Sequence, residues 1–341
     1  MRFFLFLATI VLFASTVHAA PRTLDIYFID TEGGAATLIV TPGGESLLVD
    51  SGNPGERDAG RIARVARDVA KLQQIDYYLT THWHSDHVGG IGPLAKLIPV
   101  KNFYDHGFVE PLPDDINREL MTVYKQVSAG KQIVVRPGDE LKFARKTPAP
   151  LRLRVLAANG TVLGEQSAAP QVRPCGENFV AAPEDTSDNA RSVVFLLTYG
   201  NFKFFDGGDL TWNVEDRLAC PKNLAGPVDV FQVNHHGLGT SNNPRLVAAL
   251  APRVAIINNG ARKGGAARTF ATLKESVAAD RIFQLHRNVA TTDADNAPPA
   301  NVANDAEACQ GEYVKLSVDA RGRSYVVTVP GKGTTHKFQT K

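Results

Sequence analysis

Cysteine is scarce: Cys175, Cys220 and Cys309 are the only three in 341 residues. None lies beside another, and their spacing matches no zinc motif. A single disulfide with one thiol left over is the most they allow, and none is assigned to catalysis. An excess of charge of one sign is also lacking. Thirty-seven Lys and Arg against 35 Asp and Glu leave a formal +2. So weak a balance draws the chain to neither nucleic acid nor an anionic membrane, although a local basic patch remains compatible with it. The sequence carries no internal repeat, no low-complexity tract, no Gly-rich phosphate loop and no Ser/His/Asp nucleophile pattern. What remains is 43% hydrophobic and 21% charged, the composition of a soluble globular protein.

The first twenty residues differ from the rest. Arg2 precedes an apolar run over 3–13, broken only by Thr9, and Val17 and Ala19 stand where small residues precede a signal-peptidase cut. The run is too short for a membrane span of roughly 20 residues. Residues 1–19 therefore read as a signal peptide cleaved after Ala19, placing the mature protein in the periplasm or outside the cell, with no membrane attachment.

Strand and helix signals alternate along the mature chain. Apolar, β-prone segments at 24–29, 36–41 and 46–49, separated by Gly33-Gly34 and Pro42-Gly43-Gly44, form a meander. Ile62, Val65, Ala66, Val69 and Leu72 recur at helical spacing, and the Arg61, Arg64, Arg67 and Lys71 between them read as the solvated side. Strands are expected at 75–80, 100–104, 151–156, 192–198, 202–205, 228–233, 254–257 and 282–285. Helices are expected around 90–97, 116–127, 245–250 and 270–277. Residues 158–190 read as a long loop placed to cover the active site, and 290–311 as a linker or loop before a closing hairpin at 313–318 and 324–329. The class is α/β.

The chemistry concentrates in Thr81-His82-Trp83-His84-Ser85-Asp86-His87-Val88-Gly89-Gly90. Alternate residues of an extended stretch share a face, so His82 and His84 can meet one cation. Asp86 and His87 lie past the bend into a helix and can meet a second. Imidazole with carboxylate suits Zn²⁺, and Fe or Mn as well. Two later segments follow strands: Asp206-Gly207-Gly208-Asp209, where a carboxylate can bridge two ions, and Asn234-His235-His236-Gly237. Each is weak alone; in this order, at strand ends, they are strong.

His82-X-His84-X-Asp86-His87 with Asp209 and His236-Gly237 resembles the metallo-β-lactamase superfamily. Residues 28–36 resemble the opening of the hydrolase domain of bacterial DNA-uptake channel proteins, and Leu48-Val49-Asp50-Ser51-Gly52 the superfamily's first motif. The resemblance covers roughly residues 24–288. It implies a four-layer αββα sandwich over 20–290, with the C-terminal hairpin of 291–341 packed on it. It implies His82, His84, Asp86, His87, Asp209 and His236 as ligands of one or two Zn²⁺ ions, Mn²⁺ or Fe being alternatives, and Asp50 as a support behind them. His236, directly before Gly, takes the ligand role, and His235 contacts substrate or packs beneath.

One departure stands out. Many members have another histidine before the bridging aspartate, and here none lies between His106 and His235. Asn189 or Asp188 occupies that region and could aid the first ion. His106 reads as a surface-loop histidine, while Arg191, Arg262 and Lys263 are weak candidates for an anionic substrate.

The expected mechanism is attack by a metal-bound hydroxide, with Asp86 orienting the water and His235 assisting. The expected bonds are phosphoesters or phosphodiesters. Lactone, amide or β-lactam hydrolysis is the alternative, and a non-catalytic metal-binding module a further one. The partner is a small-molecule or phosphoester substrate, without stable association with nucleic acid.

Overall fold

The computed structural model describes residues 23–108, 112–165 and 179–341. The signal-peptide expectation lies outside these residues, as does part of the loop expected over 158–190.

Two nine-stranded sheets face each other. The first runs, edge to edge, through Thr334–Gln339, Ser324–Val329, Tyr313–Val318, Leu24–Ile29, Thr37–Val40, Ser46–Val49, Ile75–Leu79, Val100–Asp105 and Gln132–Val134. Its meander is antiparallel as far as Ser46–Val49, and the last four strands are parallel. The second sheet runs through Val302–Asn304, Ile282–His286, Val254–Ile257, Val230–Gln232, Phe202–Asp206, Val194–Tyr199, Leu151–Ala158 and Glu140–Leu141. The first five of these are parallel, and Thr161–Val162 pairs beside Leu151–Ala158.

Alternation along the strands explains the layers. Leu24, Ile26 and Phe28 point inward and meet Phe204, Val230 and Ile256 of the other sheet in one buried cluster. Tyr27 and Ile29, on the opposite face of the same strand, pack with Ile62, Val65 and Leu94 of the outer helices. The second sheet turns Phe205, Phe231 and Ile257 toward Val214, Leu246 and Phe270, which lie on the helices Trp212–Ala219, Pro244–Leu250 and Ala267–Ser276. The result is helix, sheet, sheet, helix, the αββα sandwich expected from the resemblance.

Several local expectations change. The C-terminal region is three strands, not a hairpin packed on the domain. Tyr313–Val318 pairs residue for residue with Leu24–Ile29, and Thr334–Gln339 forms the edge. The segment read as a linker contributes Val302–Asn304 to the second sheet. The helix Trp212–Ala219 carried no expectation because its buried set includes Glu215, Asp216 and Arg217, which blurs the apolar stripe. Arg61 is not on a solvated face: its side chain is 10% exposed and pairs with Asp30 and Glu32.

Glycines 89 and 90 serve by their size rather than by conformational freedom. Both have ordinary helical backbone angles, yet a Cβ on Gly90 would lie 2.0 Å from the Ser51 carbonyl oxygen. Backbone cannot yield as a flexible side chain does. Gly90→Ala is expected to lower stability by about 1–3 kcal/mol; thermal unfolding of the metal-free protein checks it, and an unchanged midpoint contradicts the packing described.

Candidate metal centre

Parallel strands of both sheets end on one side of the sandwich, where open α/β sheets place their ligands. The strand Ile75–Leu79 runs into the histidine loop, Ser46–Val49 into Asp50, Phe202–Asp206 into Asp209, and Val230–Gln232 into His235 and His236. Four segments distant in sequence thereby converge.

Asp86, His87, Asp209 and His236 place one donor atom each within 4.8 Å of one another. His87 Nε2 lies 3.2 Å from both His236 Nε2 and Asp209 Oδ2. His236 Nε2 lies 3.2 Å from Asp86 Oδ2 and 3.2 Å from Asp209 Oδ2. Beside this group, His82 Nε2 and His84 Nδ1 meet at 3.0 Å, with Asp209 Oδ2 3.9 Å from His82 Nε2. Asp209 therefore stands between the two groups. All six residues assigned as ligands from the sequence are brought together.

The surroundings fix these rings. Asp50 Oδ2 is 2.8 Å from His87 Nδ1 and accepts the Thr81 hydroxyl proton, while its Oδ1 accepts the Thr81 N–H. The imidazole is thereby oriented with Nε2 toward Asp209, the arrangement expected behind a metal ligand. Asp115 does the same for His84, at 2.6 Å from Nε2. Asp115 had no signal in the sequence, since it lies on a loop far from the motif. Asp50→Ala is expected to reduce metal affinity or activity roughly 10–100-fold, measured by metal titration; affinity equal to wild type would remove Asp50 from this role.

The loop Asn234–Gly237 is held in an uncommon conformation. His235 and His236 are consecutive left-handed residues, with φ of 53° and 52°. Each costs on the order of 1–3 kcal/mol and persists only where the surroundings over-determine it. Glu215 supplies that constraint, accepting from Asn234 Nδ2 and from the backbone N–H groups of Asn242 and Asn243. Gly264 lies against the His236 carbonyl, where a Cβ would come within 2.1 Å.

Electrostatics follow from burial among carboxylates. Burial opposes charge on His87, but Asp209, Asp50 and Asp86 outweigh it and hold the imidazole well above its ordinary range. His236 is raised in the same way against burial, chiefly by Asp209. His82 is pushed well below by burial and by the neighbouring His87. Burial would raise Asp209, yet His236 and His87 hold it far below the usual carboxylate range. Buried imidazole lone pairs around shared carboxylates form a donor set suited to a divalent cation.

The region of the missing histidine is settled in part. Asp188 turns away from the ligand positions: its Oδ2 accepts the Trp83 N–H at 2.7 Å and lies 3.1 Å from His106 Nε2. His106 is therefore a buried partner of Asp188, not a surface-loop histidine, and the pair props the histidine loop from behind. Asn189 Oδ1 is buried without a hydrogen-bond partner among the described residues, and Asn189 lines a cavity of about 330 Å³ with Asp185, Trp212 and His235. His235 Nε2 is 3.5 Å from Asp209 Oδ2, and its Nδ1 meets the Ser241 and Thr240 hydroxyls at 3.1 and 3.2 Å. Lys263, weighed only weakly from the sequence, bonds Asp86 through Nζ. Arg262 instead pairs with Glu307 on the surface.

The family model described as the metallo-beta-lactamase superfamily matches residues 29–158. Over those residues the chain is similar to the metallo-beta-lactamase superfamily. Among curated relatives of this chain, an atrochrysone carboxyl ACP thioesterase of Aspergillus terreus is 38% identical over 66 residues, 19% of this chain and 20% of the relative. Recombination protein 2 of Haemophilus influenzae is 24% identical over 243 residues, 70% of this chain and 24% of the relative. The chain thus spans a quarter or less of either relative. Among solved structures, the metallo-beta-lactamase SMB-1 bound to 2-mercaptoethanesulfonate is 17% identical, with a TM-score of 0.39, covering 63% of this chain and 78% of that one.

Proposed function

We propose that the protein is an exported, metal-dependent hydrolase acting on phosphoester or phosphodiester bonds. The observation that carries this reading is the cluster of Asp86, His87, Asp209 and His236 with the ammonium of Lys263 against Asp86 at its rim. A divalent ion held there, with Zn²⁺ well suited to imidazole and carboxylate, supplies Lewis acidity and lowers the pKa of water.

The chain's own residues do the rest. The Lys263 side chain is 43% exposed, so Nζ can meet an anionic oxygen of the substrate. Asp86 lies between Lys263 and His236 and orients the attacking water. Nδ1 of His235 is held by the Ser241 and Thr240 hydroxyls, which turns Nε2 toward Asp209 and the cavity. That nitrogen is placed to hydrogen-bond a leaving oxygen. Burial lowers the pKa of His235, which keeps the ring neutral near neutral pH. Buried Asp50 and the more exposed Asp115 keep the ligand rings oriented.

Two experiments test the reading. The metal-loaded protein should turn over bis-p-nitrophenyl phosphate, phosphorylcholine esters or single-stranded DNA; no turnover of any would remove the phosphoester assignment. Lys263→Ala should raise KM for an anionic substrate roughly tenfold with kcat less affected; an unchanged KM would free Lys263 of this role. The thioesterase name of one relative favours a second, acyl-transfer reading. Nitrocefin with a panel of acyl-lactones and acyl-thioesters separates the two.

Export is supported by the N-terminal pattern and by the disulfide at Cys220, which suits an oxidising compartment. N-terminal sequencing of the secreted protein should begin at Ala20; a start at Met1 contradicts it.

A further inference from the structure

Away from the centre just described, a second set of donors converges where the two sheets meet. Asp30 directly follows the strand Leu24–Ile29 of the first sheet, and His286 ends the strand Ile282–His286 of the second. Cys309 lies between Val302–Asn304 and Tyr313–Val318. Their donor atoms lie within 4.8 Å of one another. His286 Nε2 is 3.0 Å from Asp30 Oδ1, Cys309 Sγ is 3.3 Å from Asp30 Oδ2, and Sγ is 3.7 Å from His286 Nε2.

The geometry points to a second cation site: Asp30, His286 and Cys309 form a three-donor cradle for a thiophilic divalent ion such as Zn²⁺, which would staple the two sheets to the C-terminal segment. Zinc bond lengths of about 2.0–2.3 Å to nitrogen, oxygen and sulfur put the ligand atoms of a tetrahedral site roughly 3.3–3.6 Å apart. The three separations found here lie within a few tenths of an ångström of those edges. A Cys–His–Asp nucleophile relay would instead place the thiol and the carboxylate on opposite ring nitrogens. Here both face Nε2, and the buried Nδ1 has no hydrogen-bond partner among the described residues.

The remaining contacts orient the donors as supports behind a metal do. Arg61 Nη1 donates to Asp30 Oδ2 at 2.9 Å, and Nη2 donates to the Cys309 carbonyl at 3.1 Å and lies 3.6 Å from Sγ. The Glu32 N–H donates to Asp30 Oδ1 at 2.9 Å. One carboxylate and one thiolate would neutralise a divalent ion, leaving Arg61 paired with Glu32. On binding, the Cys309 thiol loses its proton to solvent and sulfur forms the bond to the ion.

Cobalt(II) tests this without any assay of turnover. The centre of Asp86, His87, Asp209 and His236 contains no sulfur, so among the described residues only Cys309 can give a thiolate-to-cobalt charge-transfer band in the near ultraviolet. Cys309 is also the free thiol among the described residues. Loading native protein with Co²⁺ should produce that band and protect the thiol from a disulfide reagent. Asp209→Ala should keep the band, and Cys309→Ser should lose it while retaining the visible bands of the histidine centre. Failure of the hydrolase centre would remove only those visible bands. At saturating Co²⁺, absence of the near-ultraviolet band with an unprotected thiol would overturn the proposal. Native protein alone gives both readouts, so the test survives if a variant fails to fold.

Discussion

Asp209→Ala is expected to release metal from both positions and to bring hydrolysis close to the buffer rate while the sandwich stays folded. Asp209 Oδ2 lies within 4 Å of His82, His87, His235 and His236 together. Removing any single imidazole leaves other donors around each position, whereas removing this carboxylate takes the shared one. The fold should tolerate the change. The carboxylate lies in the turn after the strand Phe202–Asp206, and its loss leaves imidazoles that can stay neutral. Elemental analysis with circular dichroism reads both outcomes. A variant holding wild-type metal would move the bridging role elsewhere.

The second large effect is acid release of metal. A divalent ion and a proton compete for the same Nε2 lone pairs. His87 and His236 bind protons more tightly than ordinary imidazoles, since burial opposes the charge but Asp209 and the other carboxylates outweigh it. Raised proton affinity means that the competition is lost as pH falls, and begins at a higher pH than for an unperturbed histidine. His82 is shifted the other way by burial and by His87, so its proton competes less. The Asp86–His87–His236 position should therefore empty first as pH drops from about 7 to about 5, with activity falling alongside and returning on re-addition of metal. Metal content measured after equilibration across that range checks the order. Full retention at about pH 5 would contradict it.

Much of this centre was legible in the sequence because its ligands are carried by local signals. The spacing from His82 to His87 sits at a strand end and needs no tertiary information to be read. Asp209 and His236 follow strands whose apolar runs are equally plain. The supports were harder. Asp115 and Lys263 reach the centre, and Asp188 backs the histidine loop, only because loops fold together there, and a lone charged loop residue looks solvated until a partner appears. Arg61 shows the same limit: helical spacing placed it on the outer face, but Asp30 and Glu32 draw its guanidinium inward. His106 was misread for a related reason, since its partner Asp188 is eighty-two positions away.

The fold followed the same division. Alternating strands such as Tyr313–Val318 and Ser324–Val329 were placed correctly from period alone. Their destination was not, because pairing with Leu24–Ile29 joins the two ends of the chain. The short strand Val302–Asn304 was hidden in an Ala/Asn/Pro-rich stretch, where its three residues gave no period to read. Thr334–Gln339 alternates half-buried and exposed positions at a sheet edge, so its apolar signal is weak.

Metal-edge anomalous diffraction from crystals of the zinc-loaded protein tests the central claim most directly. It should show density about 2.0–2.2 Å from His87 Nε2, His236 Nε2 and a carboxylate oxygen of Asp209. With zinc at saturation, imidazoles that surround no anomalous peak would contradict the metal centre described here.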